Sequence, residues 1–366
     1  MLPIKGSAVR SAVLIVVFFC AMLAAAQTPY DPNRIREEKE AKYDLVFWYE
    51  EADMTVFFQE AAAEYEALTG KRVKLCEKES TSFPEDIYDA SIADGEFPDL
   101  YLAGSEISEK AYLYGISEKE SIPLYFETVV FVYHGKQLAQ KPESLDELLQ
   151  DTVENGLPEG VSTALEWNVA DGFYDYPFFA DVITYDFSAE ESALAKDSES
   201  YRQRAAFFEA LAAATRLDEQ TVTDEGVLQD FNEGSCLCAL ISSDDLADVT
   251  AEDCMLTELP DLAPGIPLRS CSRQGRLYLN DFSRNKDTAR DFANYLVEQK
   301  SDDLEELTGH QPVKEDAARS TQGELAYRQY QDSILVPESI HSGSFWAKFE
   351  GEVYNLWHAG VTSREP

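Results

Sequence analysis

The chain is 366 residues long and carries 69 acidic against 30 basic side chains, a formal net charge of −39 at pH 7. Such a surface repels phosphate backbones, so nucleic-acid binding, whose affinity rests largely on Lys and Arg, is excluded. The length exceeds the size at which one core usually keeps growing and points to two domains.

In chain order, Lys5 and Arg10 precede the uncharged run Ala12–Ala26, and Ala24-Ala25-Ala26 stand before Gln27. This is the pattern of an export signal with a small-residue cleavage site, shorter than the roughly 20 apolar residues that span a bilayer comfortably. Residues 1–26 are therefore a signal peptide or membrane anchor, with Cys20 as a candidate lipidation point. Residues 27–42, with Pro29, Pro32 and the charge run Arg34 to Lys42, read as a polar linker. The domain is expected outside the cytoplasmic membrane or in the periplasm, released or tethered.

Leu45 to Tyr49 is a short apolar run and predicts a strand. Phe58, Ala61, Ala62, Tyr65 and Leu68 then fall on one helical stripe, closed by Gly70, and Arg72 to Leu75 alternates. The three form a βαβ unit. A helix over Phe83 to Asp94, a strand over Pro98 to Gly104 and a long strand over Ile122 to His134 follow, the last with Glu127 in its middle. Helices are expected over Glu143 to Gln150, Phe173 to Thr184 and Ser200 to Arg216. FNEGSCLCALISSDD reads as helix, glycine, strand, and further strands are expected at Cys254 to Glu258 and Pro267 to Cys271. Helices over Asn285 to Lys300 and Ser344 to Ala359 complete the pattern. Alternation of strands with helices implies a mixed, mostly parallel α/β sheet covered on both faces.

Hydrolase, zinc-protease, phosphate-loop and dinucleotide motifs are missing, which favours binding over catalysis. No cofactor or metal is called for: five scattered cysteines after the signal, Cys76, Cys236, Cys238, Cys254 and Cys271, read as buried apolar side chains. Aromatic clusters at Trp48-Tyr49, at Trp167 and at Trp346 sit at strand ends and loops, where flat rings suit sugar faces and cations.

From about Asp44 to Gly360 the order of passages resembles the extracellular solute-binding proteins of ATP-driven importers, of the maltose-binding type. DLVFWYE with AAAEYEALTGKRVKL is similar to the opening strand and helix of that family, ADGEFPDLYLAG to its third strand, and IPLYFETVVFVYHGKQL to its crossover. FNEGSCLCALIS, FSRNKDTARDFANYLV and SGSFWAKFEGEVYNLWHAG are similar to its later strand and helices. The resemblance implies a two-lobed periplasmic-binding-protein-like fold with ligand held in the cleft between lobes. It implies an N-terminal lobe of 43–126 plus about 275–330 and a C-terminal lobe of 127–274 plus about 331–366. A monomer would capture a sugar or oligosaccharide without catalysis and deliver it to the permease subunits of an ABC transporter.

Trp48, Glu127, Asp171, Phe173 and Trp346 match the family's ligand contacts. Departures lie beside them: Glu50, Glu51 and Asp53 replace a basic residue, Ser105-Glu106 replace an Asp-Arg pair, and Asp244 replaces a second tryptophan. These carboxylates keep open a cationic solute such as a polyamine, and a surface-tethered enzyme acting on carbohydrate is the further alternative.

Overall fold

The computed structural model describes residues 43–79, 82–92, 98–104, 121–138, 140–184, 192–215, 217–218, 220–335 and 342–362. The expected leader and linker, and Ser105 and Glu106, lie outside the described residues. The chain divides into a segment ending at Asp44 and a unit from Leu45 to Pro366, with which the following description is concerned.

It opens with a parallel βαβ unit: β1 (Leu45–Tyr49), α1 (Thr55–Thr69) and β2 (Val73–Glu77), in register from Leu45 opposite Val73 to Tyr49 opposite Glu77. Gly70 ends α1 at φ 73°, its N–H bonded to the Glu66 carbonyl, a conformation that costs a residue without Cβ little. Phe57, Phe58, Ala61 and Tyr65 are buried, whereas Leu68 is 69% exposed. The apolar stripe thus starts one residue earlier than predicted, and the last turn of α1 is left uncovered.

Next come α2 (Phe83–Ile92), β3 (Leu100–Ala103), β4 (Ile122–His134), α3 (Leu145–Asn155), β5 (Thr163–Glu166), α4 (Gly172–Phe179), α5 (Glu199–Ala214) and α6 (Asp224–Glu233). Then follow β6 (Cys236–Ser242), β7 (Cys254–Thr257), β8 (Asp261–Ala263), β9 (Ile266–Pro267), β10 (Cys271–Leu279), α7 (Lys286–Gln299) and α8 (Ser301–Thr308). The last elements are β11 (Gln311–Pro312), α9 (Thr321–Asp332), β12 (Ile334–Leu335) and α10 (Ser342–Thr362).

Among the described residues, ten strands form one mixed sheet whose main path is β2-β1-β3-β10-β4-β6-β5. Strand β4 makes it continuous: its first half pairs antiparallel with β10, and from Val129 onward it pairs with β6 and β7. Where it changes neighbours, hydroxyls replace the ladder. Ser243 Oγ accepts from Thr128 N at 3.0 Å and Ser270 Oγ from Val129 N at 3.0 Å, all buried, so no main-chain donor is orphaned at the junction.

Each half of the sheet is covered on both faces. One half packs Phe47, Phe58, Phe292 and Leu296 beneath α1 and α7 on one side, and Trp48, Phe83, Tyr101 and Tyr278 beneath α2 on the other. The other half packs Phe131, Trp167, Phe208 and Trp357 on one side, and Val130, Phe231 and Ile241 on the other. This is a two-lobed α/β fold joined through its central strands.

Of the strand predicted over Pro267 to Cys271, Pro267 ends β9, Cys271 opens β10, and the three residues between them are the link. The real strand, CSRQGRLYL, opens with polar residues and a glycine and so carries no alternating signal. The predicted helix from Phe173 to Thr184 ends at Phe179, because Pro177 lies inside it and a 3-10 turn, Ala180–Val182, takes over.

Candidate functional site

Strand β1 runs parallel to β2 and β3, and β5 parallel to β6; the loops at the carboxyl ends of β1 and β6 carry Glu51, Asp53 and Asp244. In open α/β sheets this carboxyl edge is where ligands bind. Glu127 on β4 stands directly opposite Arg273 on β10, so their side chains share a face. Arg273 Nη1 lies 3.9 Å from Glu127 Oε2, and Nη2 lies 3.6 Å from Asp171 Oδ1. Both separations exceed hydrogen-bonding range, and the Arg273 side chain is 43% exposed.

Asp171 is the N-cap of α4, its Oδ1 accepting from Phe173 N at 2.8 Å. The Phe173 ring lies flat under the guanidinium, with Arg273 Cζ 4.1 Å from its centroid. Trp346 on α10 flanks the same guanidinium at 5.9 Å. Sequence accounts for this docking twice. Pro177 removes the N–H that would have bonded the Phe173 carbonyl, and the Cys271 thiol donates to that carbonyl at 3.5 Å. Gly172 lets α10 approach: a Cβ there would meet Glu350 Cγ at 2.9 Å and Trp346 Cε3 at 3.2 Å.

The polar row continues from Glu127 toward β1. Ser242 Oγ donates to Glu127 Oε1 at 2.9 Å and accepts from Asp244 N at 3.2 Å. Asp244 Oδ2 lies 2.9 Å from His310 Nδ1, and Asp53 Oδ2 lies 3.0 Å from His310 Nε2. The imidazole therefore joins the loop after β1 to the loop after β6. Tyr125 stacks on it with centroids 4.3 Å apart and donates its hydroxyl to Glu51 Oε1. Glu51 Oε2 is buried without a hydrogen-bond partner.

Burial first, and the Asp244 carboxylate second, push the Glu127 carboxyl up to about 7. Burial likewise holds Glu51 at about 7, against the opposing pull of Tyr125 and His310. For His310, burial alone would lower the imidazole, but hydrogen bonding and charge from Asp244 and Asp53 outweigh it and raise it to about 10. Two glutamates that share their proton with solvent near pH 7, an imidazolium and a guanidinium thus stand among three carboxylates along one row.

No protein-family profile matches the chain, and no curated protein sequence matches it. Among solved structures, the extracellular solute-binding protein from Staphylococcus aureus in complex with maltose is similar at TM-score 0.67 and 18% identity. The match covers 88% of this chain and 98% of that one. The fold is the solute-binding protein fold. At that identity the likeness speaks to architecture alone.

Of the five residues expected to contact ligand, four meet around Arg273: Glu127, Asp171, Phe173 and Trp346. Phe173 is fully buried, so the guanidinium above it is what faces the open side. Trp48 does not join them. It points to the other face of β1, packs with Phe83, Ile87, Tyr101 and Tyr278, and is 3% exposed. Alternation along the strand puts it there: Phe47 and Tyr49 share the opposite face with α1. Trp167 is also core, its Nε1 donating to the buried Asp175 at 2.9 Å.

Arg273 and His310 are the site residues that sequence reasoning passed over. Arg273 lies in the strand whose polar start, CSRQG, hid it. His310 follows Gly309, the left-handed C-cap of α8, with φ 83°, and nothing local marks it. No disulfide joins the five described cysteines, and Cys236, Cys238 and Cys271 are buried.

Proposed function

We propose that this chain is an exported solute-binding protein that captures a sugar or oligosaccharide and delivers it to the permease of an ATP-driven importer. The reading divides the chain into lobes of 43–126 plus about 275–330 and of 127–274 plus about 331–366, with ligand in the cleft between them. The observation that carries it is the convergence of Glu127, Asp171 and Trp346 on Arg273, beside the carboxyl end of β6, whose last residue Ser242 bonds Glu127. Arg273 offers N–H donors at 3.6 Å or more from the nearest carboxylates, while those carboxylates offer free lone pairs. A pair of neighbouring sugar hydroxyls fits such an alternation, donating to one group while accepting from the next. The Trp346 face supplies the apolar surface on which the C–H side of a pyranose rests.

The test is calorimetric titration of the purified protein with mono- and oligosaccharides, with recovery of the sugar afterwards. Saturable binding of a sugar that is recovered unchanged, weakened at least tenfold by Trp346→Ala and by Arg273→Ala, supports the reading. Conversion of the sugar would replace it with a tethered carbohydrate-active enzyme.

A second reading, a cationic solute such as a polyamine, is favoured by one specific feature. Glu51 Oε2 is a buried acceptor without a donor, beside a row in which carboxylates outnumber cations. Under that reading spermidine binds, sugars do not, and Glu51→Gln removes most of the affinity.

A further inference from the structure

Of the three charged groups that meet at His310, two belong to one half of the sheet and one to the other. Met54, next to Asp53, and Leu304 of α8, the helix that ends just before His310, share a core with Phe47 and Phe292. Asp244 lies in the first turn of the 3-10 segment Ser243–Asp248 after β6. Leu246 of that segment packs with Val130, Phe231 and Ile241 in the other half. Asp53 and His310 are therefore carried by one half, and Asp244 by the other.

The bond that crosses between the halves is well formed. His310 Nδ1 hydrogen-bonds Asp244 Oδ2 at 2.9 Å, whereas Asp53 Oδ2, 3.0 Å from Nε2, is an ion-pair partner without hydrogen-bond alignment. Acceptors at both ring nitrogens require hydrogen on both, so the ring is an imidazolium. Packing around the crossing bond is sparse. A cavity of about 400 Å³ lies there, lined by Leu246 and Ala247 of the 3-10 segment and by Glu305 and Glu306 of α8. At Gly309, which has no side chain, a built Cβ would come no nearer to that segment than 3.6 Å, at the Asp244 carbonyl. Along this side the halves are tied by charge more than by apolar contact.

The strands that link the halves carry two breaks at which they can bend. The register of β10 against β4 shifts between Gly275 and Arg276, a bulge next to the glycine that lies under Tyr125. At Thr128 and Val129 of β4, serine hydroxyls stand in for the ladder.

We propose that His310 is a latch: anchored beside Asp53 on one half, its imidazolium holds Asp244 on the other and shifts the solute-free protein toward a closed cleft. The inference rests on the solute-binding reading only for what closure serves. A charge pair fixed across the cleft biases the balance of open and closed forms with or without solute. If the closed form is the one that grips solute, apparent affinity falls with the fraction closed, so the latch also sets affinity without touching the solute.

The test is small-angle X-ray scattering of the full chain without added solute, with circular dichroism to confirm folding. His310→Gln and the nearly isosteric Asp244→Asn are each expected to enlarge the radius of gyration by about 1 Å, the scale of a hinge opening in a compact chain of this length. The double variant is expected to open no further than either single one, because both remove the same bond. Should His310→Gln fail to fold, Asp244→Asn alone reads the latch. Scattering that superimposes on the native curve in a folded Asp244→Asn protein overturns the proposal, and so do enlargements that add up in the double variant. Since no solute is used, a latch that fails here leaves the sugar-binding reading standing, and a failed sugar titration leaves the latch measurable.

Discussion

Replacing His310 with glutamine removes the cation that lies between Asp53 in the loop after β1 and Asp244 in the loop after β6. The imidazole value rises from 6.5 in the unfolded chain to about 10 in the fold. At roughly 1.4 kcal/mol per pH unit that caps its contribution at about 5 kcal/mol. Asp53 is 54% exposed, so solvent screens its share, whereas Asp244 is 24% exposed and carries most of the effect. A loss of about 2–3 kcal/mol is expected for His310→Gln at pH 6. Because the folded value lies above the unfolded one, this contribution is fully present below about 6.5 and is lost as pH rises through about 10. Urea unfolding of both proteins at pH 6, 8 and 10 measures it. The difference should shrink steadily and fall below about 1 kcal/mol at pH 10. A difference that stays constant across the three pH values would show that His310 acts by packing on Tyr125 and not by charge.

The carboxyl of Glu51 titrates in the same direction, with folded and unfolded values of about 7 and 4.5. Its burial is tolerated below about 4.5 and costs progressively more as pH rises through 7, so Glu51→Gln should match the native protein at pH 4.5 and exceed its stability by about 1–2 kcal/mol at pH 8. Gly275 lies under the Tyr125 ring, and a Cβ there would stand 2.1 Å from two ring carbons. Gly275→Ala should therefore lower stability by about 1–3 kcal/mol or more in the same unfolding assay, and an unchanged midpoint would contradict this placement of Tyr125. Trp167→Phe removes the indole N–H that donates to the buried Asp175 and should cost about 1–3 kcal/mol, read as a drop in melting temperature of several degrees. Cys236, Cys238 and Cys271, whose thiols burial pushes up, should resist a thiol reagent in the native protein and react on unfolding.

The amino-acid order alone determined the elements whose cause is local. The stripe of α1 and its stop at Gly70, the Ser198, Thr223 and Ser320 caps of α5, α6 and α9, and the largely apolar run of β4 are each set by residues within a turn or two of one another. Residue type marked Glu127 and Trp346 as candidates, because a carboxylate in an apolar strand and an aromatic at an element end call for an explanation, and Asp171 and Phe173 were added by the family resemblance alone. Only the tertiary structure decided which of them share a place. The register of β4 against β10 sets Arg273 opposite Glu127, and an antiparallel pairing between residues so far apart in sequence has no local signature. The same holds for His310, whose partners Asp53 and Asp244 come from two other loops, and for Trp48, which strand parity turned into the core while its neighbour Tyr49 faces α1. Side chains become a site when long-range pairing fixes their faces, and that pairing is settled by burial across the whole sheet, not by any one segment of it.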